Sequence, residues 1–562
     1  MVPQFDEEKQ IKKLDELRRG EEESLARILS EKYGVAYADL TLLPVDMDAL
    51  RIVKEDEARA ANAAVFNMQD KKNISVAVLS PQNEKAKEFI ENLKKRGYIT
   101  HVFMVSKQSL IKIWDRYKDL SFSFETKGGA LDISNDQILT FLKDVKNLAD
   151  VQKLVEETLA MKKAYRVSRI VEIILAGALS TGASDIHIEP EEAYVQLRYR
   201  LDGVLTEVSK FDTETFRLLL SRIKLLSGLK LNVKDSAQDG RLSIKVGEDD
   251  IEIRVSMLPG AYSESVVLRV LNPKSIAVPL ESLGIHPRLL KVLEKAIEKP
   301  NGMILTTGPT GSGKTTTLYA FMRKIHNPGI KIITIENPIE YHLPGIVQTQ
   351  TDEDKGYTFL EGLRSSLRQD PDVIMVGEIR DNETAEIAIN AALTGHLVFS
   401  TLHTNNAAGA FPRLIDLGVN SKVITSAITV SIAQRLLRKL CDSCKEKIAV
   451  EGRNKEIVDH ILSHIQDKTY LQDVALDSMW KSVGCEKCNF TGYKGRIGIY
   501  EAILTDENIE TVVNQNPSER EIRKAAEPQQ LLTMAQDGVI KILQGVTSVD
   551  ELGRVIDLES AE

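Results

Sequence analysis

Apolar positions change their spacing along this chain, and each change of period marks a unit. Ile74-Ser75-Val76-Ala77-Val78-Leu79 reads as a strand, Asn83 to Arg96 as a helix and His101 to Val105 as a second strand. With the charge-dense helical pattern from Met1 to about Lys32, these predict a small α/β module over residues 1–120. Gly128-Gly129 then breaks the pattern, and charged helical sequence runs from Gln137 to Met161, predicting a linker and helical lead-in over 121–165. From Arg166, Val167, Ile170, Val171, Ile174 and Leu175 recur at helical spacing, and Gly182 to Pro190 leads from a helix end into a strand. Strict alternation in Val195–Arg200, Leu242–Val246 and Ile251–Val255 predicts strands with one covered face, hence an α+β domain over 166–275. Between 276 and 440, four apolar runs (Met303–Leu305, Lys331–Ile335, Val373–Val376, Leu397–Ser400) alternate with helical stretches. That alternation implies a parallel sheet with ligands at the carboxyl ends of its strands. After Arg496 the pattern is mainly helical, over Glu519–Ala526, Leu531–Gln544 and Val549–Ile556.

Composition narrows the class. Charged residues make up 28% and hydrophobic ones 43%, as in a globular protein, and the length suggests about four separately cored domains. A formal net charge of −9 lacks the basic excess of a dedicated nucleic-acid binder, so no nucleic-acid partner is expected. The apolar run Ile170 to Leu179 is interrupted by Glu172 and Gly177 and falls short of the roughly 18 residues of a membrane span. MVPQFDEEKQ at the start is acidic and polar, unlike a secretory signal. A cytoplasmic location without direct membrane insertion is expected.

The chemistry concentrates at strand ends. Gly308-Pro309-Thr310-Gly311-Ser312-Gly313-Lys314-Thr315 fits G-x-x-x-x-G-K-[ST] between a strand and a helix. Such a loop turns successive backbone N–H groups toward a phosphate chain. Lys314 is expected at the β- and γ-phosphates of ATP, and the Thr315 hydroxyl on Mg²⁺. Glu336-Asn337-Pro338-Ile339-Glu340 follows the next strand, where a carboxylate can orient water against the γ-phosphate. The run Val373–Val376 ends in Gly377-Glu378, a carboxylate placed for the metal directly or through water. Thr401-Leu402-His403-Thr404 closes a further strand as a γ-phosphate sensor, with His396 just before that strand. His187, standing alone, is read as structural.

All four cysteines fall in two C-x-x-C pairs, Cys441/Cys444 and Cys485/Cys488, about 40 residues apart, a tetrahedral Zn²⁺ signature. Four thiolates leave no open coordination position, so this metal is expected to be structural.

Taken together, ASDIHIEP (183–190), GPTGSGKT (308–315), IENPIE (335–340), LRQDPDVIMVGEIRD (367–381) and TGHLVFSTLHTN (394–405) resemble the secretion superfamily of hexameric ATPases. That family powers type II secretion, type IV pilus assembly and pilus retraction. The resemblance implies an α/β fold: a RecA-like P-loop domain with a parallel-type sheet over 276–440, preceded by an α+β, PAS-like domain and the small N-terminal module. A tetracysteine zinc module over 441–500 and C-terminal helices over 501–562 follow. By position, Glu340 is implied to polarise the attacking water, Glu378 to lie near Mg²⁺, and His396 and His403 to form the histidine box. Arg254 and Arg269 match second-domain arginines that approach the phosphates, and Arg364 and Arg368 match a further pair. Such arginines answer the charge that a phosphoryl-transfer transition state places on its equatorial oxygens.

The implied partners are five further copies in a homo-hexamer, an inner-membrane platform protein and an accessory docking protein, with pilins reached indirectly. The implied place is the inner face of the cytoplasmic membrane. Retraction motors usually lack both the tetracysteine module and a large N-terminal domain, which leaves pilus assembly first and type II secretion second. A nucleic-acid translocase is the alternative from another class. Some relatives hold a second messenger of cyclic-di-GMP type in the N-terminal domain, but its repeated Arg-Leu-Gly pattern is absent here. Two departures stand out: Asn337 replaces the aspartate of E-D-P, and Tyr262-Ser263-Glu264 stands where His-Gly-Glu is common.

Overall fold

The computed structural model describes residues 22–558, apart from 41–44, 51, 69–71, 118–134, 161–162, 248, 273–277 and 473. Gly128-Gly129 and most of the predicted first helix lie outside these residues. The N-terminal module is a four-stranded mixed sheet in the order Ala36–Tyr37, Ile99–Met104, Asn73–Val78, Ala63–Met68. Its helix Glu84–Lys95 starts where the Asn83 side chain accepts from the Lys85 N–H, and it buries Ala86, Phe89 and Leu93 on one face.

The predicted lead-in is two helices rather than one, Asn135–Asp144 and Leu148–Leu159. Asn147 and Asp150 form a capping box that stops and restarts the chain, a signal the charged composition obscured. Both helices pack on Lys163–Thr181, which covers a six-stranded antiparallel sheet. Its order is Val204–Phe211, Val195–Leu201, Asp185–Pro190, Glu264–Leu271, Asp249–Pro259, Gln238–Val246. Val195, Leu197 and Tyr199 point into the core while Gln196, Arg198 and Arg200 face outward, as strict alternation requires.

The nucleotide domain is a seven-stranded sheet in the order Val347–Gln350, Ile332–Glu336, Val373–Val376, Leu397–Leu402, Gly302–Thr307, Ile428–Leu440, Tyr493–Leu504. The first six strands are parallel, and the last returns antiparallel along Ile428–Leu440. The sheet therefore continues past residue 440, and the stretch around Arg496, read from sequence as the start of a helical tail, is strand. Gly495 and Gly498 dilute its alternation, which hid it. One sheet face packs Met303, Leu305, Ile374 and Val398, and the other packs Ile304, Met375, Phe399 and Val430. A two-stranded antiparallel sheet, Glu446–Ala449 with Ser478–Lys481, and the helix Gly452–Ser463 between its strands lie in the stretch between the two cysteine pairs. Glu519–Ala526, Met534–Leu543 and Val549–Val555 complete the chain as helices, the first two opened by capping boxes at Ser518/Glu521 and Thr533/Gln536. Among the described residues, no helix is long and apolar enough to cross a membrane.

This topology makes the C-terminal segment part of the nucleotide domain's core. A fragment of residues 276–440 leaves Ile428–Leu440 as a long apolar edge strand, and it is expected to aggregate. A fragment of 276–562 keeps the partner strand and is expected to stay soluble with a cooperative melt. Expression yield and calorimetry check both outcomes.

Candidate active site

The strand Gly302–Thr307 is buried along its whole length and hands directly into the glycine-rich loop. Gly308 has φ of 146°, and a Cβ there would lie 2.6 Å from Ser312 Oγ and 2.7 Å from the Gln434 carbonyl. Gly313, at φ 92°, occupies the cap position of the helix Lys314–Ile325, so the helix's free N–H groups open onto the loop. Gln434, fully buried on the neighbouring strand, donates to the Ser312 carbonyl at 2.8 Å and holds the loop's far side. Lys314 Nζ donates to the carbonyls of Gly308 (2.7 Å) and Pro309 (3.1 Å). Burial lowers its pKa from the ordinary lysine value, with Glu378 opposing the shift and Arg435 adding to it.

The other strand ends converge on this loop. Thr404 meets Thr307 through three hydrogen-bond contacts (Oγ1 to Oγ1 at 2.6 Å, Thr404 N–H to Thr307 Oγ1 at 2.8 Å, Thr307 Oγ1 to the Thr404 carbonyl at 3.0 Å), tying the end of the Leu397–Leu402 strand to the P-loop strand. Thr401 Oγ1 donates to the Gly377 carbonyl at 2.8 Å. Glu378 is largely buried and lies 2.6 Å from Arg380 Nη2 and 3.4 Å from His403 Nε2. His396 is at the opposite end of the same strand, its ring against the Ala391 carbonyl, roughly 20 Å from the phosphate end at about 3.3 Å per residue. The chain therefore brings one histidine of the predicted pair to the site and leaves the other outside it.

The two carboxylates of IENPIE are separated by environment. Glu336 is buried and accepts from Tyr319 Oη, Thr334 Oγ1 (2.5 Å) and Gln348 Nε2 (3.1 Å). Burial raises its pKa above the ordinary value of 4.5, against the pull of those hydrogen bonds. Glu340 is partly exposed and faces Arg254 of the second domain, with Nη1 to Oε2 at 3.4 Å. Arg254 also donates to the Ile339 carbonyl. Asn337 is exposed and, among the described residues, makes no side-chain hydrogen bond.

Arg254 is not alone on its sheet. Register places Arg200, Asp185, Arg269, Arg254 and Arg241 side by side in one row across five strands. Arg269 pairs with Asp185 at 3.0 Å and keeps its side chain more than half exposed. Arg241 was missed from sequence, although alternation alone puts it on the outward face of its strand. Arg364 and Arg368 bond along their own helix, to Glu361 (3.2 Å), Ser365 Oγ (3.0 Å) and the Arg364 carbonyl (3.1 Å). The Tyr262-Ser263-Glu264 stretch is a hairpin turn whose Glu264 accepts from the buried Lys224 at 2.9 Å.

The four cysteines meet. Sγ separations of 3.9 Å (Cys441–Cys485), 3.8 Å (Cys444–Cys488) and 3.8 Å (Cys485–Cys488) are far too long for disulfides. They match the edge of about 3.8 Å that a tetrahedral ion with 2.3 Å metal–sulfur arms requires. N–H groups of Gly484 and Gly492 point at the sulfurs of Cys444 (3.4 Å) and Cys488 (3.3 Å). The same turn reaches the other lobe: Asn489 Oδ1 accepts from the Leu148 N–H at 2.9 Å, and Asp202 accepts from the Gly495 N–H at 2.8 Å.

Comparison with known proteins places the chain in a family. Residues 160–554 match the family described as "Type II/IV secretion system protein", and residues 33–123 match the MshEN domain. The type II secretion system protein E of Pseudomonas aeruginosa is 42% identical over 412 residues, covering 73% of this chain and 80% of that protein. The type IV pilus assembly ATPase PilB of Myxococcus xanthus is 34% identical over 538 residues, covering 95% of this chain and 91% of that one. The fold matches the X-ray structure of the Legionella pneumophila ATPase DotB at a TM-score of 0.50, with 22% identity over 68% of this chain and 94% of that chain. This chain belongs to the type II/IV secretion family, and it is a nucleotide-binding P-loop ATPase.

The buried carboxyl gives a signed pH effect. With its folded pKa raised, Glu336 contributes stability that is full below pH 4.5 and is lost as pH climbs through the raised value. Glu336→Gln removes that titration. Melting temperatures measured from pH 4.5 upward are expected to show the wild type losing ground to the variant, and parallel curves would refute the assignment.

Proposed function

We propose that this chain is the ring motor of type IV pilus assembly. The extent of likeness carries the choice: a match over 95% of the chain takes in most of residues 33–123, beyond the core that secretion motors share. The higher identity of the secretion relative over a shorter span keeps type II secretion as the second reading. In the first reading six copies close into a ring at the inner face of the cytoplasmic membrane. They work on an inner-membrane platform protein that adds pilins, with the N-terminal module meeting an accessory docking protein.

ATP sits on the backbone N–H groups of 308–315 with Lys314 at the β- and γ-phosphates. Thr315 and Glu378 serve Mg²⁺, which neutralises charge between those phosphates. Glu340 orients the attacking water, and His403 reports the γ-phosphate through Glu378. Arg254 and Arg269 supply charge to the transition state from the second domain, and Arg364 and Arg368 do so from an exposed helix at a subunit boundary. Zn²⁺ in the four cysteines is structural and holds the turn that carries Asn489 against the lead-in helix.

Glu340→Gln is expected to lower ATP turnover by about 100-fold or more while ATP affinity stays within about threefold. Steady-state phosphate release and nucleotide titration check this, and unchanged turnover removes Glu340 from the role. Restoring pili, and not secretion, in a host that lacks its own motor for each would decide between the two readings. Purified chain is expected to hold about one equivalent of zinc after mild dialysis. Chelation should raise amide exchange at Leu148, whose N–H is held by Asn489. Less than about half an equivalent would rule out a structural site.

A further inference from the structure

The segment that carries Glu340 runs from Asn337 to Ile346 with no helix or strand of its own, yet it is pinned at several points. Tyr319, on the helix that begins at Lys314, donates its hydroxyl to Glu336 Oε2, and that hydroxyl accepts from Gln348 Nε2 at 3.3 Å. Gln348, on the edge strand, donates to Glu336 Oε1 (3.1 Å) and to the Tyr341 carbonyl (3.1 Å), and it accepts from the Leu343 N–H at 2.6 Å. The Tyr319 and Tyr341 rings meet edge to face at 4.7 Å. Glu336 is thus the buried centre from which one arm reaches the P-loop helix and another, through Gln348, reaches Tyr341 and Leu343 just beyond Glu340.

A buried polar network of this kind holds its members in one arrangement only while every group is satisfied. Here both oxygens of Glu336 are engaged, and burial keeps the Tyr319 phenol a donor. Buried among these three donors, Glu336 offers no oxygen to solvent where a reacting water would stand. Its work is to place something else, and what it places is the next carboxylate.

We propose that Tyr319, Glu336 and Gln348 form a positioning strut that fixes Glu340 relative to the helix behind the phosphate loop. The proposal rests on Glu340 as the water-orienting residue. None of the three touches nucleotide. A displacement of Lys314 and its helix by bound phosphate is carried through the Tyr319 hydroxyl to Glu336 and Gln348, and from Gln348 to Tyr341 and Leu343 beside Glu340.

The test uses the full chain and the variants Tyr319→Phe, Gln348→Ala, Glu336→Ala and Glu336→Gln, with Glu340→Gln alongside. kcat is expected to fall about 10-fold in Tyr319→Phe and Gln348→Ala and about 100-fold in Glu336→Ala. Affinity for a non-hydrolysable ATP analogue should stay within about threefold in each. Glu336→Gln should recover most of the loss, since its amide still meets the Tyr319 hydroxyl. Unchanged kcat in Tyr319→Phe and Gln348→Ala, or a loss of kcat matched by an equal loss of affinity, would overturn the strut. Should Glu336→Ala not fold, those two variants decide the matter alone. If Glu340→Gln abolishes turnover while the strut variants do not, the strut fails and the Glu340 reading stands. If Glu340→Gln turns over normally, both fail.

Discussion

One guanidinium group connects the two lobes at the site. Arg254 leaves its own sheet to donate to the Ile339 carbonyl and to face the Glu340 carboxylate. Behind it stands a row in which Arg269, Arg254 and Arg241 lie directly opposite one another on three neighbouring strands. Like charges in that relation destabilise a sheet. Asp185 answers part of the charge from within the sheet, Glu252 answers from the next position but one on the Arg254 strand, and Glu340 answers from the other lobe. The compensation of this row of cations therefore comes partly from outside its own domain.

Apolar packing follows the same division. The core of the second domain gathers residues from Ile138 to Val270, the N-terminal module has its own core, and the two faces of the seven-stranded sheet have theirs. None of these clusters joins the second domain to the nucleotide domain among the described residues. The contacts identified across that boundary are polar: Arg254 to Glu340 and Ile339, Leu148 to Asn489, and Gly495 to Asp202. Polar contacts of about 1 kcal/mol each can be traded for water or ligand without opening a core. Interfaces of this character permit relative domain movement by default. Within the nucleotide domain the opposite holds, because Thr307, Thr404, Thr401 and Gln434 lace the strand ends to the phosphate loop. The loop and the strand ends around it are tied together, whereas no shared core ties the second domain to them among the described residues.

Much of this was legible in the chain, and the reasons are local. The P-loop, the strand-end carboxylates and the paired cysteines are short-range patterns whose chemistry demands fixed spacing. The parallel strands announced themselves as apolar runs between helices. What escaped was non-local or masked. Tyr493–Leu504 became a strand because Ile428–Leu440 offers it a partner, which no window around Arg496 contains. The break at Asn147 needed the capping pair with Asp150 to be weighed above the run of charge. His396 and His403 look equivalent as neighbours of one strand, and only the strand's direction separates them. Arg241 could have been found by following the alternation one strand further, since it shares its register with Arg254.

Four residues of separation place Glu336 and Glu340 in opposite environments. A carboxylate left partly in solvent keeps lone pairs open to water, and one buried among donors does not. Glu336, last residue of its strand, points into the sheet's packing, where three donors close around it. Glu340 lies beyond the turn, where the backbone no longer pairs with a neighbour strand and the side chain meets Arg254 at the lobe boundary. Asn337 between them is neutral and exposed. On this segment the charge that Arg254 meets is therefore that of Glu340, four residues past the buried Glu336.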